Sequence, residues 1–272
     1  MNAAGEKSRS VATYKTFEAA KSGVEEYRNE DSIQIKTIAS NALMIAMSDG
    51  ASTGVFSKEW SDHITGGIDS AWLQSPATLE RGLQFLRESF QPDVSRPTAL
   101  RKFLMEGSYA TLLIALIQRS RWWFGRLVLT LFGIGDVSLF IFTPEGELEY
   151  VFPPTVRDGF GNTPEMIRSS ERLQNDSPYT IHHELHRTRP ENLIVIASDA
   201  LAEHINGLPP AAGLRLARQI GRCTDDAEFR LLVQKLRETR GMKNDDVTVC
   251  LITAQPDDYF RPASPHSTRP EV

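Results

Sequence analysis

The stretch that decides the fold is Asn41-Ala-Leu-Met-Ile-Ala-Met-Ser-Asp-Gly50, an apolar run that ends in a carboxylate and a glycine. A short apolar run bounded by polar residues is typical of a buried strand. A carboxylate at the edge of a buried strand costs free energy unless a cation or hydrogen bonds compensate it. Asp49 is therefore a candidate ligand for a cation.

Three other strand-like runs carry acidic residues at one end. They are Leu193–Asp199, which ends in Asp199; Val247–Ile252, which follows Asp245 and Asp246; and Ser32–Ile35, which follows Glu30 and Asp31. Four such strand ends can converge in a folded sheet and hold hard divalent cations through oxygen ligands. The pattern indicates metal-assisted hydrolysis.

The bulk properties are those of an ordinary globular protein. The chain has 272 residues, 40% hydrophobic and 24% charged, and a net charge of −5, which does not favour a general nucleic-acid-binding surface. Cys223 and Cys250 are far apart in the sequence and form no CxxC pair, which favours a reduced, cytoplasmic protein.

No segment of the sequence favours a membrane location. Residues 1–10 lack the apolar core of a signal peptide. The only candidate span, Trp122 to Phe142, is interrupted by Arg126 and Asp136, so two buried strands explain it better.

The order of the predicted elements favours an α+β fold in layers. Strands come first, then helices before Gly107, the first of which is predicted from Ser57 to about Leu73. Further strands follow, including one predicted from Tyr179 to Leu185, then helices from Leu201 to Arg240, and one last strand. The predicted organisation is a flexible N-terminus (1–10), one domain (11–253) and a disordered tail (254–272). The polar segment from Pro153 to Pro178 is predicted to be an exposed excursion with one short helix.

Six short motifs in this order resemble those of the PP2C-type (PPM) metal-dependent serine/threonine protein phosphatases, and most closely the bacterial branch. They are Asn29-Glu-Asp31, Ser48-Asp-Gly50, Gly107-Ser-Tyr-Ala-Thr111, Gly135-Asp136, Ser198-Asp199 and Asp245-Asp-Val-Thr-Val249. The resemblance implies a four-layer αββα sandwich, with two antiparallel sheets flanked by helices. It also implies two Mn²⁺ or Mg²⁺ ions at one end, and it leaves a third metal open.

The resemblance assigns roles to particular residues. Asp49 would bridge both metals, and the carbonyl of Gly50 and the side chain of Glu30 would hold one of them, the latter largely through water. The other metal would be held by Asp199 and Asp245. Asp31 would orient metal-bound water. Two adjacent cations can lower the pKa of a bridging water so that the hydroxide attacks phosphorus.

The sequence also departs from the family pattern. The family arginine that grips the substrate phosphate corresponds to Glu26, whereas Arg28 lies two residues before Glu30 and would share its face on a strand. The histidine that many eukaryotic members carry as a general acid corresponds to Ala51. Asp136 is interpreted as structural, pinning a loop.

The predicted function is hydrolysis of phosphoserine or phosphothreonine on proteins, with Arg28 as the candidate phosphate-binding residue. The family suggests a partner serine/threonine kinase, or its target, as the substrate. Two alternatives remain open at this point: a catalytically weak pseudophosphatase that acts as a protein-binding module, and a dimetal hydrolase of small phosphoesters.

Overall fold

The computed structural model describes residues 11–23, 29–52, 54–92, 97–120, 126–158, 164–170 and 179–254. The predicted flexible N-terminus and all but the first residue of the predicted tail lie outside these ranges. Ala254, that first residue, is the end of the last strand.

The first sheet has five antiparallel strands. They are β1 (Ala12–Ala19), β7 (Ser138–Phe142), β8 (Leu148–Phe152), β11 (Leu193–Ala197) and β12 (Val247–Ala254). Their spatial order is β1-β12-β11-β7-β8, so the last strand of the chain pairs with the first.

The second sheet also has five antiparallel strands. They are β2 (Ser32–Ala39), β3 (Ala42–Ser48), β5 (Leu112–Arg119), β6 (Leu127–Ile134) and β10 (His182–Thr188). Their spatial order is β10-β6-β5-β3-β2. A small separate pair consists of β4 (Tyr109–Ala110) and β9 (Ile167–Arg168).

In the described part of the chain, six α-helices flank the sheets. They are α1 (Ser57–Gly67), α2 (Pro76–Ser89), α3 (Pro97–Glu106), α4 (Asp199–Asn206), α5 (Pro210–Ile220) and α6 (Asp226–Arg240). Short 3-10 turns cover Ser70–Trp72 and Pro154–Asp158. Helix α2 begins with a capping box between Ser75 and Thr78, and the Asp225 side chain caps α6, so local sequence determines both starts.

The buried side chains form three layers of core. Leu43, Leu129 and Ile196 belong to the central layer between the two sheets. Met44, on the opposite face of β3, packs with Trp60 of α1 in the layer outside the second sheet. The third layer packs α4, α5 and α6 on the first sheet. Strand β3 is covered on both faces, which explains why its sequence is an unbroken apolar run. The layers confirm the predicted four-layer αββα sandwich.

Three sequence predictions need correction. The helix predicted from Ser57 to Leu73 ends at Gly67, before a 3-10 turn. The excursion predicted from Pro153 to Pro178 contains β9, whose Ile167 is fully buried, so its described part is not simply an exposed loop. The strand predicted from Tyr179 begins at His182. Among the described residues, no helix is long and apolar enough to span a membrane.

Candidate metal centre

The strand pairing brings the predicted acidic residues to one end of the sandwich. In the second sheet Ser32 pairs with Ser48, so Asp31 and Asp49 extend from the same edge. In the first sheet Ala197 pairs with both Val249 and Ser138. The end of β11 therefore lies beside the starts of β12 and β7, where Asp199, Asp245 and Asp136 are located.

Asp246 connects the two sheets at this end. Its carboxylate accepts hydrogen bonds of 2.8 Å from the backbone N–H groups of Lys21 and Glu30. The residue is 4% exposed. Asp246 directly follows the candidate ligand Asp245 in the sequence, and its charged carboxylate holds two chain segments together.

The Gly107–Thr111 motif holds the end of β3 in place. The Thr111 backbone N–H donates to the Asp49 carbonyl (2.9 Å), and the Asp49 N–H donates to the Thr111 hydroxyl (3.3 Å). The Ser48 hydroxyl donates to the Thr111 carbonyl (2.7 Å). These bonds orient the backbone that presents the Asp49 carboxylate.

Gly50 lies where three chain segments converge. A Cβ atom at this position would lie 2.8 Å from the Glu30 carbonyl oxygen, 2.8 Å from the Ser61 hydroxyl and 2.9 Å from the Ser57 carbonyl oxygen. Only glycine therefore fits without displacing the backbone. The close approach places the Gly50 main chain directly beside that of Glu30.

The carboxylates at this end are fully or partly buried and repel one another. Burial, followed by the charges of Asp31 and Asp199, raises the pKa of Asp49 well above its usual value. Burial also raises the pKa of Asp31 to about 7, although the hydroxyls of Ser198 and Thr248 act in the opposite direction. Neither carboxylate oxygen of Asp31 has a hydrogen bond of normal geometry within the described part of the chain. A cation would stabilise such a cluster.

Asp136, which the sequence analysis interprets as a residue that pins a loop, lies in the same cluster of acids. Burial and then the charge of Asp199 raise its pKa to about 7. Its Oδ1 atom is buried and has no hydrogen-bond partner among the residues described. Asp136 and Asp199 also line a pocket of about 750 Å³ that reaches Glu203, Arg240 and Lys243. The feature of the sequence that could have placed Asp136 in this cluster is the Gly135-Asp136 motif.

Among the described residues, two lysines contact the predicted ligands. Neither has a role that was predicted from the sequence. The Lys21 ammonium lies 3.3 Å from Glu30 Oε2 and donates to the Ser52 hydroxyl (2.7 Å). The Lys243 ammonium lies 2.6 Å from Asp199 Oδ2 and 3.8 Å from Asp245 Oδ2. Each lysine thus supplies positive charge to residues predicted to bind a different metal.

The donor chemistry fits divalent cations, although the described residues do not form a closed ligand set. Within these ranges no group of three or more acidic, histidine or cysteine side chains converges closely enough to hold a metal ion. The cluster nevertheless offers only oxygen donors, and the carboxylates of Asp31 and Asp136 are buried without full pairing. These features suit Mg²⁺ or Mn²⁺ better than Zn²⁺. The candidate phosphate-binding Arg28, and Glu26, lie outside the described residues.

Comparison with known proteins gives matches by structure only. No family model and no curated protein matches the sequence. The structure is similar to that of the photosystem II phosphatase PBCP (TM-score 0.60, 14% identity), covering 90% of this chain and 99% of that one. It is also similar to the serine/threonine phosphatase Stp1 from Staphylococcus aureus (TM-score 0.59, 12% identity), covering 94% of this chain and 100% of that one. A bacterial serine phosphatase matches as well (TM-score 0.58, 12% identity), covering 90% of this chain and 99% of that one.

The chain has the fold of these phosphatases. Each match covers nearly the whole length of both chains, so the shared fold includes both sheets. At 12–14% identity the likeness establishes the fold alone. The chemistry must be argued from the residues of this chain.

Proposed function

We propose that this protein is a metal-dependent phosphatase that hydrolyses phosphoserine or phosphothreonine on proteins. One observation carries the proposal: fully or partly buried carboxylates from both sheets lie close together at one end of a sandwich that matches serine/threonine phosphatases. Buried like charges without full pairing are costly in a metal-free protein, and such clusters are characteristic of functional sites.

The proposed metal ligands are the residues that the resemblance to the phosphatase family implies. Asp49 would contact both ions, with the Gly50 carbonyl and Glu30 completing one side and Asp199 and Asp245 the other. When bound, the two ions would neutralise the phosphate and lower the pKa of a water molecule. The proposal does not assign residues to a third ion.

Three positions that are not proposed metal ligands also bear on the proposed mechanism. Asp31 has two buried carboxylate oxygens that lack hydrogen bonds of normal geometry, so it can accept one from the attacking water and orient it. Ala51 has no proton to donate, so in this proposal the serine or threonine oxygen that leaves phosphorus takes its proton from water. Arg28 is the proposed phosphate-binding residue.

The proposed substrate is a phosphorylated protein, with a serine/threonine kinase or its target as the candidate partner. We propose the cytoplasm as the location, because Cys223 and Cys250 are both free and buried. The net charge of −5 argues against a nucleic-acid partner, and we propose no membrane partner.

The test is hydrolysis of a phosphothreonine peptide with Mn²⁺ and with EDTA, by the wild type and by Asp49→Asn. We expect activity that requires Mn²⁺ and falls by at least about 100-fold in the variant, since the bridging charge is lost. Asp62→Asn is the matched control, because this exposed acid pairs only with Lys58 among the described residues. Activity that EDTA leaves intact would exclude the metal mechanism, and preference for small phosphate esters over phosphopeptides would exclude the protein substrate.

A second candidate is a binding module without turnover. The observation that favours it is the engagement of Glu30, Asp199 and Asp245 by lysines. A folded protein that neither binds Mn²⁺ nor hydrolyses phosphopeptides would support this alternative.

A further inference from the structure

Lys243 lies between the two side chains that the proposed function assigns to the second metal. Its ammonium donates to Asp199 Oδ2 at 2.6 Å, and Asp245 Oδ2 lies 3.8 Å away. A single positive charge thus faces two carboxylates from different strand ends. This is the place where a divalent cation would have to bind.

The backbone on both sides of Lys243 is firmly anchored. Helix α6 ends at Gly241, whose positive φ of 68° turns the chain back towards the sheet. Met242 is then buried in the core, and the Asn244 side chain accepts a hydrogen bond of 2.8 Å from the Ser22 N–H. Lys243 is held between these two residues, so its Cα position relative to the acids is determined by packing.

The side chain itself is much less constrained than the backbone. It is 52% exposed, whereas the Asp199 side chain is 14% exposed. Lys243 lines the pocket of about 750 Å³ together with Glu203 and Arg240. Glu203 offers the ammonium a carboxylate other than those of Asp199 and Asp245. A lysine stem has four rotatable bonds and its ammonium is readily rehydrated. The ammonium can therefore leave Asp199 without disturbing the fold.

The charges around the lysine favour its present position when no metal is bound. Asp199, Asp245 and Glu203 all stabilise the ammonium electrostatically. The acid cluster behind Asp199 includes Asp49 and Asp136, which repel the Asp199 charge. A lysine at this point reduces that repulsion, and so does a divalent ion.

We propose that the Lys243 ammonium is an internal counterion that competes with the divalent cation for Asp199 and Asp245. The inference rests on the proposed metal-dependent function and deepens it. The lysine lowers the affinity of the second metal position relative to the first, and it stabilises the acidic end in the metal-free protein. Binding of the second ion requires Lys243 to move into the adjoining pocket.

The test is Mn²⁺ binding to the full chain, measured by calorimetry and by the electron paramagnetic resonance signal of free Mn²⁺. We expect Lys243→Met to bind the weaker Mn²⁺ more tightly than the wild type by up to about fivefold, which is the upper end of the range for loss of a partly exposed ion pair. If the lysine fully excludes the ion, the variant should instead gain a second bound Mn²⁺. Lys243→Arg should behave like the wild type, because it retains the positive charge.

Thermal unfolding supplies a second readout that does not depend on activity. In EDTA, Lys243→Met should unfold at a lower temperature than the wild type, because Asp199 loses its counterion. With Mn²⁺ its Tm should rise by more than that of the wild type. Lys235→Met, which removes an exposed lysine from α6, controls for the change in net charge.

The outcomes separate the inference from the proposed function. If the wild type binds two Mn²⁺ ions and Lys243→Met binds them no more tightly, the competition is refuted while the metal site survives. If neither protein binds Mn²⁺, both the competition and the proposed metal-dependent function are refuted. If Lys243→Arg binds as tightly as Lys243→Met, the positive charge is not responsible and the inference fails.

Discussion

The carboxylate of Asp246 accepts a 2.8 Å hydrogen bond from the backbone N–H of Glu30, and this contact joins the start of β12 to the segment before β2. The two residues belong to different sheets, so the bond connects the sheets at the candidate site. The second oxygen of Asp246 accepts from the Lys21 N–H. The position of Glu30 as a candidate ligand therefore depends on a side chain 216 residues away.

Replacing Asp246 should destabilise the metal-free protein. Asp246→Ala leaves two backbone donors without their charged acceptor, and we expect the free energy of unfolding to fall by about 3 kcal/mol. Asp246→Asn has one acceptor oxygen and should lose roughly half as much. Urea unfolding in EDTA, followed by tryptophan fluorescence, measures both, and Asp62→Ala is the exposed control. Equal stability of Asp246→Ala and the control would contradict this structural role.

A methyl group at Gly50 should disrupt the candidate site. It would lie 2.8 Å from both Glu30 O and Ser61 Oγ, so Gly50→Ala should cost about 2 kcal/mol of stability through overpacking. Mn²⁺ affinity should fall as well, because the Glu30 backbone must move away.

Gly66→Ala is the matched control for this substitution. Gly66 lies in α1, and a Cβ there would have no heavy atom within 4 Å outside its own turn. Replacing a helical glycine with alanine should stabilise the protein by about 0.5–1 kcal/mol. Urea unfolding of both variants tests the contrast, and a tolerated alanine at position 50 would mean that the three segments are not packed this closely.

The sequence predicted the layered fold because its signals are local. The apolar run of β3 and the acidic residues at strand ends are visible in short windows, and the order of the six motifs added the topology. The buried position of Ile167 was missed because β9 has only two residues and depends on its pairing with β4.

The site was predicted less completely because its electrostatics depend on long-range contacts. Lys243 is two residues from Asp245, but its contact with Asp199 exists only after β11 and β12 pair. Asp136 joins the cluster for the same reason, since β7 pairs with β11. No pattern in a short window separates such residues from solvated charges.

Both cysteines should be unreactive in the folded protein. Cys250 is fully buried and burial raises the pKa of its thiol to about 12. Cys223 is also buried, and burial raises its pKa as well. Titration with a thiol-specific chromogenic disulfide should therefore detect almost no thiol in native protein and two in urea, because the thiolate is the reactive form. Rapid reaction of a native thiol, assigned with Cys223→Ala, would show that this region opens readily.

The stability of the metal-free protein should fall as the pH rises from about 4 to about 7. The pKa of Asp31 is raised from 3.8 to about 7 in the folded state. In that interval the folded protein binds a proton that the unfolded chain has released, so each pH unit costs at most about 1.4 kcal/mol per group. The raised pKa of Asp49 acts in the same direction. Above about pH 7 the contribution of Asp31 is constant.

Asp31→Asn isolates this contribution, because the amide cannot ionise in the buried position. In EDTA the variant should show a shallower decrease of Tm between pH 4.5 and 7, and at pH 8 it should unfold at a higher temperature than the wild type. Asp62→Asn should retain the wild-type pH dependence, since its side chain is 52% exposed. Parallel Tm curves for Asp31→Asn and the wild type would show that burial does not disfavour the charged form of Asp31. The decrease of Tm between pH 4.5 and 7 would then be traced to another acid, and the cost of keeping Asp31 buried would no longer argue for a cation at this end of the sandwich.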